Sequence, residues 1–339
     1  MHDPGLPELE ELERVIALGG SHLHCDVACE VEHAGRRLPV HAITLGNPDP
    51  SVPAVAYFGG VHGLERIGAR VVTAYLHNLV TRLAWDTSLR QTLDQVRVLF
   101  MPLVNPGGMA AGTRANPRGV DLMRNAPVDA QERTPWLISG QRISSVLPWY
   151  RGAYGTPMEA ESAALCERVR RELQGRPLGI ALDCHSGFGM RDRVWFPFAH
   201  RRAPTRALPE LHALHDIYVR SHAHHNYVIE PQSAQYLAHG DLWDHLVMTA
   251  PAEGVFLPLT LEMGSWLWVK KNPRQLFSRA GIFNPLIAHR EQRVLRRHLP
   301  LLDFVLRAAA GQALWLPQGE AREDHRRRAL ELWYRGQPG

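Results

Sequence analysis

Apolar positions along the chain switch between two periods, and the switches mark out elements. In residues 7–18, PELEELERVIAL, apolar side chains recur close to every 3.6 positions, which predicts a first helix closed by Gly19-Gly20. Residues 24–46 alternate instead and predict a β-hairpin turning near Ala34-Gly35. Four short apolar runs, VPAVAYFGG (52–60), RVLFMPLV (97–104), LGIALDCHSGFG (178–189) and FLPLTLEMG (256–264), predict strands buried on both faces. Helical spacing returns at 64–83, 157–174, 209–224, 239–250 and 286–310, with Pro157 placed in a first turn. Residues 105–156, rich in Gly, Pro, Asn and Arg, read as a long loop, and a compact domain keeps such a loop chiefly for function. Buried strands alternating with helices predict an α/β fold: an open, mixed, largely parallel twisted sheet with helices on both faces. In such sheets the ligand site lies beyond the carboxyl ends of the strands. No repeat or low-complexity linker interrupts the pattern. Residues 1–310 are therefore expected to form one domain with an N-terminal hairpin, and 311–339 a charged tail that packs elsewhere or frays.

Composition narrows the function classes. Of the 339 residues 45% are hydrophobic and 21% charged, a globular balance that excludes disorder. No apolar run approaches the roughly 20 residues that span a bilayer, so no membrane role is expected. The first residues are acidic without an apolar core, unlike a targeting signal, and the four cysteines read as reduced thiols, so a cytoplasmic location is expected. The net charge is +4, and only Lys270 and Lys271 among the 38 basic residues are lysine. The arginines are scattered among 34 acids, whereas a nucleic-acid binder concentrates its charge, so no nucleic-acid partner is expected. The 19 histidines direct attention to metal ligands.

Reactive residues recur at one topological place, at or just after a buried strand. His62 and Glu65 follow the first run, three residues apart, and imidazole and carboxylate are both good zinc donors when they share a helix face. Among so many histidines such a pair also arises by chance. Asp183-Cys184-His185 ends the third run. Adjacent strand residues face opposite ways, so Cys184 is read as packing. His185 alone is equally readable as a core histidine. Glu262 lies in an apolar strand, where a carboxylate must be paired or functional. The segment from Asn105-Pro106-Gly107-Gly108 through Arg114, Asn116, Arg118, Arg124 and Asn125 either clamps a carboxylate or forms a solvated basic loop.

The order HxxE, NPGG, R…GVDLMRN, HS and a strand glutamate over roughly residues 50–265 resembles the zinc carboxypeptidase family, the carboxypeptidase A/B-like metallopeptidases. The resemblance implies that His62, Glu65 and His185 hold one zinc ion per chain and that Glu262 is the general base and acid. It implies that Arg114 polarises the scissile carbonyl and that Arg124 binds the terminal carboxylate, with Asn125 beside it. Asp183 is a candidate to orient His185, and then only indirectly. Met123 stands where the family has asparagine, so it should offer the substrate only apolar contact and weaken the preference for a free carboxylate. Tyr236 is the nearest candidate for the family's mobile tyrosine. Asp241 and Asp244 either read a basic substrate group or cap the helix at 239–250, and Trp266 to Trp268 either wall the pocket or pack. The implied activity is hydrolysis of a C-terminal peptide bond by zinc-activated water, on a small peptide or acylated amino acid. Two alternatives stand beside it: an N-acyl-amino-acid deacylase of the aspartoacylase or succinylglutamate desuccinylase type, and a non-catalytic metal- or nucleic-acid-binding module.

Overall fold

The computed structural model describes residues 5–187 and 189–335. Its strands are β1 (His24–His33), β2 (Arg36–Gly46), β3 (Ala54–Gly59), β4 (Arg97–Met101), β5 (Leu178–Gly187), β6 (Arg193–Phe196), β7 (Val228–Pro231) and β8 (Val255–Gly264). Its helices are α1 (Pro7–Gly19), α2 (Arg66–Arg82), α3 (Thr87–Leu93), α4 (Pro106–Ala111), α5 (Ala160–Glu172), α6 (Leu208–Ser221), α7 (Leu242–Met248), α8 (Trp266–Lys271), α9 (Arg279–Phe283), α10 (Ala288–Ala310) and α11 (Gly319–Trp333). The strands form one sheet in the order β1-β2-β4-β3-β5-β8-β6-β7. The central four, β4, β3, β5 and β8, are parallel; β2 joins β4 and β6 joins β8 antiparallel, and β1 pairs antiparallel with β2. The fold class is the α/β class expected.

Strand alternation divides the core in two. Val55 and Tyr57 of β3, Leu182 and Cys184 of β5, and Leu259 and Leu261 of β8 pack with α1, α2, α6 and α10 on one face. Ala56 and Phe58 of β3 and Ala181 of β5 pack with Leu165 of α5 and Trp243 of α7 on the other. Asp183 and His185 share that second face by the period of two, while Cys184 points away as packing.

Several boundaries moved. α5 begins at Ala160 rather than at Pro157, because the Asn125 side chain accepts a 2.6 Å hydrogen bond from the extended Glu159 backbone. The stretch 311–335 is not a loose tail. It carries α11, whose Arg322 pairs with Glu210 of α6 at 2.6 Å, and whose Trp333 ring packs on Phe196 with ring centroids 4.8 Å apart. Trp268 of α8 is core rather than pocket wall. β6 and β7, which the apolar pattern did not mark, complete the far edge of the sheet.

Candidate active site

The carboxyl ends of β3, β5 and β8 converge on one centre. The turn after β3 carries His62 and Glu65. They do not share a helix face, because α2 begins only at Arg66 and Glu65 occupies its N-cap position without capping it. Gly63 lets that turn press against α4, where a Cβ would collide with the Gly108 backbone. Asn105 locks the contact, capping Gly108 at 2.8 Å and donating to the Val61 carbonyl at 3.2 Å. Parallel pairing sets His185 of β5 directly beside Glu262 of β8.

Ligand atoms of His62, Glu65 and His185 lie within 4.8 Å of one another, and all three residues are buried. The His185 Nδ1 is 3.1 Å from Glu65 Oε2, which also accepts a 3.0 Å bond from the Ser186 amide. The His185 Nε2 lies 2.7 Å from Asp183 Oδ2. Asp183 thus orients His185 directly, since residues two apart on a strand face the same way. The indole of Trp243 donates to the same oxygen at 3.1 Å. Asp121 was not singled out by sequence reasoning, although it lies inside GVDLMRN. It sits 3.6 Å from His62 Nδ1 and accepts from Arg114 Nε at 2.9 Å.

The donor set fits a divalent metal. His62 Nδ1 is buried and makes no hydrogen bond, and burial, helped by Arg114, holds its ring neutral, the ligating form. Burial works against a charge on His185, but Asp183 and Glu65 outweigh it and raise its pKa. The cluster already attracts a cation: Arg114 donates to Glu65 Oε1 at 3.1 Å and its other terminal nitrogen lies 2.7 Å from His62 Nε2. Burial opposes the charge on that guanidinium too, yet Asp121 and Glu65 hold it firmly protonated.

Glu262 lines a cleft of about 550 Å³ with Glu65, Arg114, Tyr236 and Trp195. Burial pushes its carboxyl up to about 7, with Glu65 adding to the rise and His185 opposing it. At that value the group can both take and give a proton near neutral pH.

The remaining expectations divide. Arg124 is buried and donates to the Tyr236 hydroxyl at 3.1 Å, with Asp241 3.9 Å away, so Arg124 is joined to the cleft through Tyr236, which lines it. Met123 and Asn125 do not join it. The Met123 side chain is packed in the core beneath the second face, with Leu122 and Ala126. Asn125 uses both ends of its amide on backbone, donating to the Arg151 carbonyl at 2.9 Å and accepting from Glu159. Packing thus engages the Met123 side chain, and backbone hydrogen bonds engage that of Asn125. Arg118 points outward to Glu159 at 3.4 Å, and Asn116 bonds Glu159 and Glu161. Asp241 caps α7 through the Trp243 and Asp244 amides, and Asp244 holds the Ala199 and His200 amides, so neither reads substrate.

Comparison with known proteins matches this arrangement. The zinc carboxypeptidase family model matches residues 32–263. Metallocarboxypeptidase A of Trichophyton tonsurans is 25% identical over 171 aligned residues, covering 45% of this chain and 38% of that relative, so the match takes in well under half the length of that protein. Among solved structures, bovine thrombin-activatable fibrinolysis inhibitor, bound to a tick carboxypeptidase inhibitor, superposes with a TM-score of 0.64 at 16% identity, over 91% of this chain and 98% of that one. Carboxypeptidase A from Helicoverpa armigera gives 0.59 at 15% identity, over 88% and 71%. These two likenesses are of fold. The family model spans most of the chain and ends one residue beyond Glu262, taking in every residue of the cluster, and on that ground the chain belongs to the zinc carboxypeptidase family.

Proposed function

We propose that this protein is a zinc-dependent carboxypeptidase that hydrolyses the C-terminal amide bond of small peptides. The observation that carries the reading is the buried Arg124 bonded to Tyr236, which lines the cleft together with Glu262, because a guanidinium fixed beside that cleft suits a terminal carboxylate. His62, Glu65 and His185 would hold the zinc, Asp183 orienting His185 and Asp121 standing beside His62. Zinc in that place supplies Lewis acidity toward the scissile carbonyl and acidifies water. Glu262 Oε takes the proton of the attacking water and passes it to the leaving amine. Arg114, adjacent to Glu65 and lining the cleft, steadies the negative charge that develops on the carbonyl oxygen. Arg124 fixes the far end of the substrate, and Tyr236 orders Arg124.

The test uses purified protein. Metal analysis should find about one zinc per chain, and His62→Ala and His185→Ala should each lose most of it together with hydrolysis. Glu262→Gln should keep its zinc and lose hydrolysis about 10²–10⁴-fold. Matched free and amidated peptides should show a preference for the free carboxylate that Arg124→Ala removes. Equal kcat/KM for both peptides in the parent protein would reject the carboxypeptidase reading. Cleavage confined to N-acyl amino acids would replace it with a deacylase.

A further inference from the structure

A second concavity adjoins the cleft and differs from it in charge. It encloses about 800 Å³ and is walled by the 133–143 stretch of the long loop, by Arg202 and by residues 235–239. Gln235 and Tyr236 line both spaces, so the two adjoin at these side chains. Arg133, Arg142 and Arg202 face the basin, and no carboxylate lines it among the described residues. The basin therefore differs from the cleft, where Glu65 and Glu262 offset the arginines.

The three guanidiniums are unequally engaged. Arg142 spends its terminal nitrogen on two carbonyls, Gly152 at 2.7 Å and Ala153 at 3.0 Å, and so keeps its full charge. Arg202 pairs with Glu132 at the surface. Arg133 is exposed and has no ion pair among the described residues. Trp136 stands beside them with 80% of its surface exposed. A concave wall with an excess of one charge concentrates counter-charged groups, and guanidinium forks match carboxylates in shape.

We infer that this basin is a subsite for an anionic side chain on the residue that leaves, so that the enzyme favours peptides ending in glutamate or aspartate. The inference rests on the carboxypeptidase reading for its direction. Tyr236 bonds Arg124, the residue assigned to the terminal carboxylate, and the same Tyr236 lines the basin. A group entering it therefore belongs to the carboxylate end of the substrate.

The experiment separates this subsite from the chemistry. Zinc-loaded Glu262→Gln protein is titrated calorimetrically with Ala-Ala-Glu, Ala-Ala-Gln and Ala-Ala-Lys, and the same series is run with Arg133→Gln and Arg202→Gln added. The acidic peptide should bind at least about fivefold tighter than the neutral one, and the lysine peptide weakest. The added substitutions should abolish most of that difference, as should high salt. Equal binding of the glutamate and glutamine peptides, or a preference that survives loss of both arginines, would overturn the subsite. Turnover by the unmutated enzyme is scored separately. Failure to hydrolyse any peptide counts against the carboxypeptidase reading, while a glutamate preference in binding still supports the basin.

Discussion

One oxygen of Asp183 accepts from two rings, the His185 imidazole at 2.7 Å and the Trp243 indole at 3.1 Å. The carboxylate is thereby fixed from behind, and it fixes the imidazole in turn. Asp183→Asn keeps the shape but places a donor among donors, so zinc affinity should fall about 10–100-fold. Trp243→Phe keeps an aromatic ring against Phe58, whose centroid lies 5.2 Å away, but removes the indole N–H. Its effect should have the same sign and be smaller. Competition with a chelator measures both, and unchanged affinity in Asp183→Asn would remove the carboxylate from the assembly.

At the scale of elements, the turn before α7 is as demanding as any ligand. Gly240 has φ +73°, and a Cβ there would strike the Arg124 carbonyl. Gly240→Ala should cost about 1–3 kcal/mol and raise KM for free-carboxylate peptides while leaving zinc content unchanged. Denaturant titration and metal analysis together check it, and an unaltered KM would show that Arg124 tolerates the shift. The α11 contact is of a different kind, remote from the cleft. Trp333→Ala removes a ring packed edge-to-face against Phe196 and an indole bond to the Ile229 carbonyl, so it should lower stability by about 1–3 kcal/mol and leave kcat/KM intact. The long elements were legible in sequence because buried strands and amphipathic helices carry their own periods, whereas His62, Glu65 and His185, which the structure brings together, were picked out only by the order of motifs that resembles the family. β6 and β7 were not, being four residues each and partly exposed, with sheet pairing rather than pattern to define them. α11 read as a charged tail because only Ala329 on it is fully buried, and its partner, α6, lies over a hundred residues away. The placing of Asn125 and Met123 was hidden for a related reason: the motif fixes their order along the chain, while the 3₁₀ turn at Leu122–Arg124 lets Met123 pack in the core and Arg124 reach Tyr236.

For the molecule as a whole, His298 of α10 is a source of acid sensitivity away from the cleft. Its Nδ1 is 2.7 Å from the Tyr227 hydroxyl, and burial, with Arg297 adding to it, lowers its pKa to about 3. The unfolded chain takes a proton there near pH 6.5 and the folded one does not, so this residue's stabilisation is complete above pH 6.5 and drains away as the pH falls toward 3. His298→Gln should flatten the decline by up to about 1.4 kcal/mol per pH unit, as read by unfolding at pH 7, 5.5 and 4.5. Identical slopes would place the source elsewhere. The parallel pairing of His185 with Glu262 has a further consequence, for how such a chain can diverge. Lengthening a surface loop leaves that pairing untouched, whereas deleting one residue inside β8 would send Glu262 to the α2 and α10 face and bring an apolar neighbour, Leu261 or Met263, to the cluster of His62, Glu65 and His185. Substitutions can therefore accumulate across this sheet gradually, but its strand lengths are inherited whole or the chemistry is lost in a single step.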